Sequence, residues 1–285
     1  MTTPITRRYR GHGGVELVGD EAGPAGAPIV LFLHGGGQTR HSWHGSAGRL
    51  AEHGFRTIAL DARGHGESGW SPDGDYAIDI MVEDLLAIAD GLGAPVALVG
   101  ASMGGLTALL AAGGMGSRSV NASAVVLVDV APQLNSEGTA KIGAFMSGNP
   151  DGFASLDEVA DVVAAYMPHR PRPKDPRGLL KNLRLVDGRY YWHWDPAFLG
   201  GKDFGRSVNN TERLEAAARA VTAPMLLVRG GASDVVSVEG AQALLAIKPE
   251  AEYVDVAGAH HMVAGDRNDA FGTAVEEFLH RVISG

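Results

Sequence analysis

Val96-Ala97-Leu98-Val99-Gly100-Ala101-Ser102-Met103-Gly104-Gly105-Leu106 decides how this chain is read. Four apolar residues suited to a buried strand run into a turn of small residues, and the helix-forming stretch 106–112 follows at once. A serine between two such elements sits on a cramped backbone. Glycines two positions before and after it, lacking Cβ, relieve the crowding. The turn lifts the Ser102 hydroxyl above a sheet and leaves it at a helix start, where unpaired N–H groups favour negative charge.

Working outward, the same strand-then-helix unit repeats. Residues 5–18 alternate as an antiparallel hairpin, and 29–33 form a continuous apolar run of the kind covered on both faces. A helix is expected over 42–53, a strand over 57–60, an amphipathic helix over 76–91 and a strand over 124–128. Alternation then stops for about 80 residues, in a stretch holding an aromatic run at 188–196, and resumes with helix 212–220 and strand 225–228. Helix 238–247, strand 251–256 and helix 269–283 complete the chain. Such alternation predicts an α/β fold, a mostly parallel sheet with helices on both faces and a site at the carboxyl ends of the strands. Residues 1–131 and 212–285 are expected to form the core, and 132–211 a lid over those strand ends.

The 285 residues suffice for a sizeable core in a single domain. A net charge of −9 without clustered Lys or Arg, apart from a short run at 170–174, argues against a nucleic-acid surface. No apolar run approaches the roughly 20 residues that span a bilayer. The polar start of the chain does not read as a signal peptide, so a cytoplasmic location is expected. Having no cysteine, the chain makes no disulfide, thiolate nucleophile or Cys-ligated metal site.

A serine attacks only when a base takes its proton and a third group orients that base. On strand–turn–helix scaffolds the chain order is Ser, then Asp or Glu, then His. Asp234 stands just past the strand at 225–228, and His260 and His261 just past the strand at 251–256. The expected set is Ser102, Asp234 and His261. His260 is the alternative base, and Asp129, at the end of another strand, the alternative acid. Developing negative charge needs fixed donors. Met103 N–H is one, and the glycines of His34-Gly35-Gly36-Gly37 offer the other, Gly36 first and Gly35 as the alternative.

His34-Gly35-Gly36-Gly37, the Arg63-Gly64-His65-Gly66-Glu67-Ser68 loop, Gly100 to Gly105, the late Asp and Gly258 to Met262 together resemble the α/β-hydrolase superfamily, over about 30–130 and 212–285. The resemblance implies an eight-stranded sheet with a helical cap between strands six and seven. It also implies acyl-enzyme chemistry with neither metal nor organic cofactor. It favours an acid after strand seven, hence Asp234, and casts Arg63, His65 and Ser68 as residues that fix a loop. Members that transfer alkyl groups carry Asp where this chain has Ser102, which disfavours that chemistry.

Hydrolysis of a small carboxylic ester is the expected reaction. C–C bond or lactone hydrolysis and cofactor-free haloperoxidation would use the same residues, and a non-catalytic binding protein is the reading outside enzymology. His34, Tyr166, Trp192 and Trp194 are expected at the substrate pocket. His169, Tyr190, Tyr191 and His193 are further candidates, with His41 and His44 at the entrance and no metal among them. The expected partner is a small-molecule substrate, with no nucleic acid or membrane. The sequence leaves monomer and homodimer open.

Overall fold

Consecutive residues of one strand explain the layering. In strand β3 (Ile29–Leu33), Leu31 packs with one buried cluster, whereas Val30 and Phe32 pack with another. Side chains alternate across a strand, so a run that is apolar at every position needs cover on both faces. The computed structural model describes residues 3–200, 210–266 and 268–283, and supplies that cover. Helices α2 (Ile78–Leu92) and α3 (Met103–Ala112) bury their apolar residues with the Leu31 face. Helix α1 (His44–Glu52) and the terminal helix Asn268–Ile283 bury theirs with the Val30 and Phe32 face.

The sheet has eight strands. Strands β1 (Ile5–Arg10) and β2 (Glu16–Ala22) are the antiparallel edge, and β2 pairs antiparallel with β4 (Arg56–Leu60). From β4 onward every pairing is parallel, through β3, β5 (Val96–Ala101), β6 (Ala122–Val128), β9 (Met225–Gly230) and β10 (Glu252–Val256). Strand order is β1-β2-β4-β3-β5-β6-β9-β10. Ser102, Asp129 and the loops carrying Asp234 and His261 therefore follow the carboxyl ends of four neighbouring strands.

Between β6 and β9 the chain forms α4 (Ser136–Ser147) and α5 (Leu156–Tyr166), then a 3₁₀ stretch Pro176–Asn182. A small antiparallel hairpin follows, β7 (Leu183–Val186) with β8 (Arg189–Trp192). The insertion is thus not the purely helical cap that the resemblance implies. Asp187 and Gly188, at φ of 48° and 79°, make the two-residue turn, and an Asp-Gly pair between β-rich runs is a readable hairpin signal. Residues 201–209 of this stretch lie outside the described residues. Helix α6 (Thr211–Ala220) leads back to β9, and α7 (Val238–Ile247) joins β9 to β10.

Candidate active site

Ser102 stands between β5 and α3 with φ 46° and ψ −116°, a positive-φ backbone that a side chain adopts only under constraint. The constraint is close packing. A Cβ on Gly100 would fall 2.4 Å from the Gly104 carbonyl oxygen, and one on Gly104 2.3 Å from that of Leu33. Both glycines are required for α3 to turn back against β3 and β5. The Ser102 hydroxyl makes no capping bond to α3, and the residue lines a cavity at the carboxyl ends of the strands. That cavity, about 480 Å³, also admits His261.

The carboxylate that reaches His261 is that of Asp129. His261 Nδ1–H donates to Asp129 Oδ2 at 2.7 Å. Asp129 is fully buried, and its Oδ1 accepts from Gly230 N–H at 2.9 Å while Oδ2 also accepts from Ser233 Oγ–H at 2.5 Å. Its φ of 48° is tolerated by aspartate more readily than by most residues, and it turns the side chain toward the β9 and β10 loops. Asp234, expected to hold the histidine, does not do so. Its side chain is half exposed and its Oδ2 meets Lys141 Nζ of α4 at 3.1 Å. The hydroxyl of Ser233 bonds the Val235 and Val236 amides at 3.1 Å, and this turn carries the next residue outward. His260 is also excluded from the Asp129 contact, because its ring stacks on His169 with centroids 3.7 Å apart.

The loop after β3 has its backbone groups fixed almost completely. Gly35 N–H donates to Gln38 Oε1 at 3.1 Å, and the Gly35 carbonyl accepts from His34 Nδ1–H at 2.8 Å. Gly37 N–H donates to His65 Nε2 at 3.2 Å, and His193 Nε2–H donates to the Gly37 carbonyl at 3.3 Å. Among the described residues the Gly36 N–H has no acceptor, so of the two glycines left open by the sequence Gly36 retains the usable donor. An ideal Cβ at Gly35 would lie 3.4 Å from Ser102 Cβ, which places this loop beside the serine. Met103, first residue of α3, has no intrahelical acceptor for its own N–H.

Three of the four expected pocket residues do line the cavity. Tyr166, Trp192 and Trp194 form its wall with Ile142 and Phe145 of α4, and Trp192 and Trp194 are stacked with centroids 5.1 Å apart. His34 is the exception. It is buried beneath the loop, its Nε2 accepting from Ala62 N–H at 3.0 Å, and burial pushes it down to about 4. His41 lines the cavity, whereas His44 lies exposed beside a separate groove and His193 turns inward. Arg63 grips Asp84 through two bonds of 2.6 Å, and Ser68 Oγ–H donates to the Asp61 carbonyl at 2.7 Å, so the 61–68 loop is held by its own side chains.

Residues 30–274 match the alpha/beta hydrolase family. The chain belongs to that family. Esterase Rv0045c of Mycobacterium tuberculosis is 37% identical over 220 residues, 74% of this chain and 68% of the relative. An sn-1-specific diacylglycerol lipase, ABHD11 of Mus musculus, is 28% identical over 269 residues, 90% of this chain and 82% of the relative. The solved structure of an E-2-(acetamidomethylene)succinate hydrolase superposes with a TM-score of 0.84 at 25% identity, covering 99% of this chain and 100% of the other.

For this hydrolase the sequence favoured Asp234 over Asp129 as the acid and offered no reading of the clamps on the glycine loop. Asp129 ends an apolar strand immediately beside the serine strand, a signal that puts a carboxylate at the right sheet edge. His193 sits between two tryptophans that both face the cavity, and alternation in an extended segment turns the middle residue the other way.

Proposed function

We propose that this hydrolase cleaves small carboxylic esters through an acyl-enzyme, with Ser102 as nucleophile, His261 as general base and acid, and Asp129 as the carboxylate that orients His261. The observation carrying the proposal is the 2.7 Å bond from His261 Nδ1–H to buried Asp129, beside a serine held at φ 46° in the same cavity. Because Nδ1 is engaged, Nε2 is the nitrogen available to Ser102. It removes the hydroxyl proton as Oγ attacks the carbonyl carbon, and returns that proton to the departing alkoxide. Gly36 and Met103 N–H receive the oxyanion. Water, deprotonated by the same nitrogen, then attacks the acyl carbon and releases the acid and Ser102.

The wall of Ile142, Phe145, Tyr166, Trp192 and Trp194 supports an apolar acyl group. Residues 132–211 are read as a cap, since these five come from that stretch. A cytoplasmic setting stays part of the proposal, alongside the finding that no helix among the described residues is long and apolar enough to cross a membrane.

Ser102→Ala tests the reading against p-nitrophenyl butanoate. Turnover should vanish, together with labelling by a fluorophosphonate; undiminished turnover ends the proposal.

A further inference from the structure

Three buried imidazoles lie in a row beneath the glycine loop: His34 to His65 with centroids 5.2 Å apart, and His65 to His193 5.7 Å apart. Two belong to the core. The third is carried by the inserted segment, just beyond β8. Each ring makes one bond as donor and one as acceptor, which fixes a single neutral tautomer. His34 donates from Nδ1 to Gly35 and accepts at Nε2 from Ala62. His65 donates from Nδ1 to the Arg63 carbonyl at 3.1 Å and accepts at Nε2 from Gly37. His193 accepts at Nδ1 from Gly66 N–H at 2.7 Å, leaving Nε2–H for the Gly37 carbonyl. Burial pushes His65 and His193 down to about 3, in keeping with these neutral forms.

We infer that His193 is a positioning residue for the oxyanion hole, holding the Gly36–Gly37 backbone in the orientation that aims Gly36 N–H at the reacting carbonyl. The inference rests on the proposed role of Gly36. Three successive glycines have wide backbone freedom, and Gly37 stands at φ 72°. Gly36 N–H lies on the Gly35–Gly36 peptide and the Gly37 carbonyl on the Gly37–Gln38 peptide, so a displacement of the carbonyl reaches the N–H through the one planar unit between them, whose own Gly37 N–H is bonded to His65. The Gly37 carbonyl has no other hydrogen-bond donor among the described residues. On the same backbone, an ideal Cβ at Gly37 would lie 3.4 Å from Trp194, and Asp195 N–H donates to the Gly64 carbonyl at 2.9 Å. Tyr76 Oη–H donates to Asp195 Oδ2 at 2.5 Å and anchors the far end. The tryptophans that wall the cavity therefore share a rigid segment with the clamp on the oxyanion loop.

Two substitutions separate the two bonds. His193→Asn keeps an acceptor at the Nδ1 position for Gly66 but cannot reach Gly37, whereas His193→Gln returns an N–H near the Nε2 position. With p-nitrophenyl butanoate, and active sites counted by fluorophosphonate labelling, H193N should lower kcat by roughly 10- to 100-fold with KM within about twofold, less than the loss of a whole oxyanion donor. H193Q should restore kcat to within about threefold of wild type. Unchanged kcat in H193N, or equal losses in both variants, overturns the inference. Ser102→Ala runs in parallel: if it retains turnover, the hydrolase reading itself has failed, whereas an inactive S102A beside a fully active H193N refutes the clamp alone. Should H193N not fold, 15N-histidine spectra of the wild type decide. The His193 resonance, assigned by its absence in H193Q, should report the Nε2–H tautomer and shift when a boronic acid bonds Ser102; no shift refutes the clamp.

Discussion

Acid should unfold this protein well above the pH at which its carboxylates protonate. His34, His65 and His193 are held at about 4, 3 and 3, chiefly by burial, against about 6.5 in the unfolded chain. The folded values are depressed, so below about 6.5 the unfolded state binds protons that the native state does not. Stability is therefore complete above that pH and declines as pH falls toward 4. Between pH 7 and pH 5 each buried ring withdraws about 2 kcal/mol, and the three together about 5–6 kcal/mol. A typical domain has only about 5–15 kcal/mol to lose. His41, lowered mainly by burial, acts in the same direction. The assay is urea unfolding followed by tryptophan fluorescence at pH 7, 6 and 5. The slope of unfolding free energy against pH near 5.5 should correspond to uptake of about three protons, and H193Q should reduce it by about one. Uptake of less than one proton by wild type would refute the claim that these rings are buried neutral.

The two carboxylates make opposite forecasts. Asp129→Asn should cut kcat by roughly 10³–10⁴-fold, as loss of the orienting carboxylate does in other serine triads. Asp234→Asn should stay within about threefold, since its partner is Lys141 on a half-exposed surface; the reverse order would restore Asp234 as the acid. Gly104→Ala should destabilise by roughly 2–4 kcal/mol, because its Cβ would meet the Leu33 carbonyl oxygen at 2.3 Å, and a melting point equal to wild type would contradict that packing. Trp194→Ala should raise KM for hexanoate esters more than for acetate esters; equal changes would remove Trp194 from the acyl wall.

Much of this molecule is local information. The run at 29–33 and the glycines around Ser102 each state a requirement of their own backbone: cover on two faces, and room for a turn. They announced the parallel sheet, the elbow and the order of its loops without reference to distant residues. The Asp187-Gly188 turn is equally local, an Asp-Gly pair that sets a two-residue hairpin by its own backbone preference.

What the chain alone left open was which side chains turn toward one another. Asp129 and Asp234 both follow sheet strands at the correct edge, and composition treats them alike. A left-handed backbone at Asp129, with Gly230 and Ser233 supplying donors, aims one inward, while Lys141, 93 positions before Asp234, draws the other out. His34 and His193 likewise carried the same marks as pocket residues until burial put both beneath the loop. Periodicity along a chain reports which face of its own element a residue occupies. The direction of a carboxylate or an imidazole depends on donors and acceptors contributed by segments far away in sequence, and those meet only in the folded state.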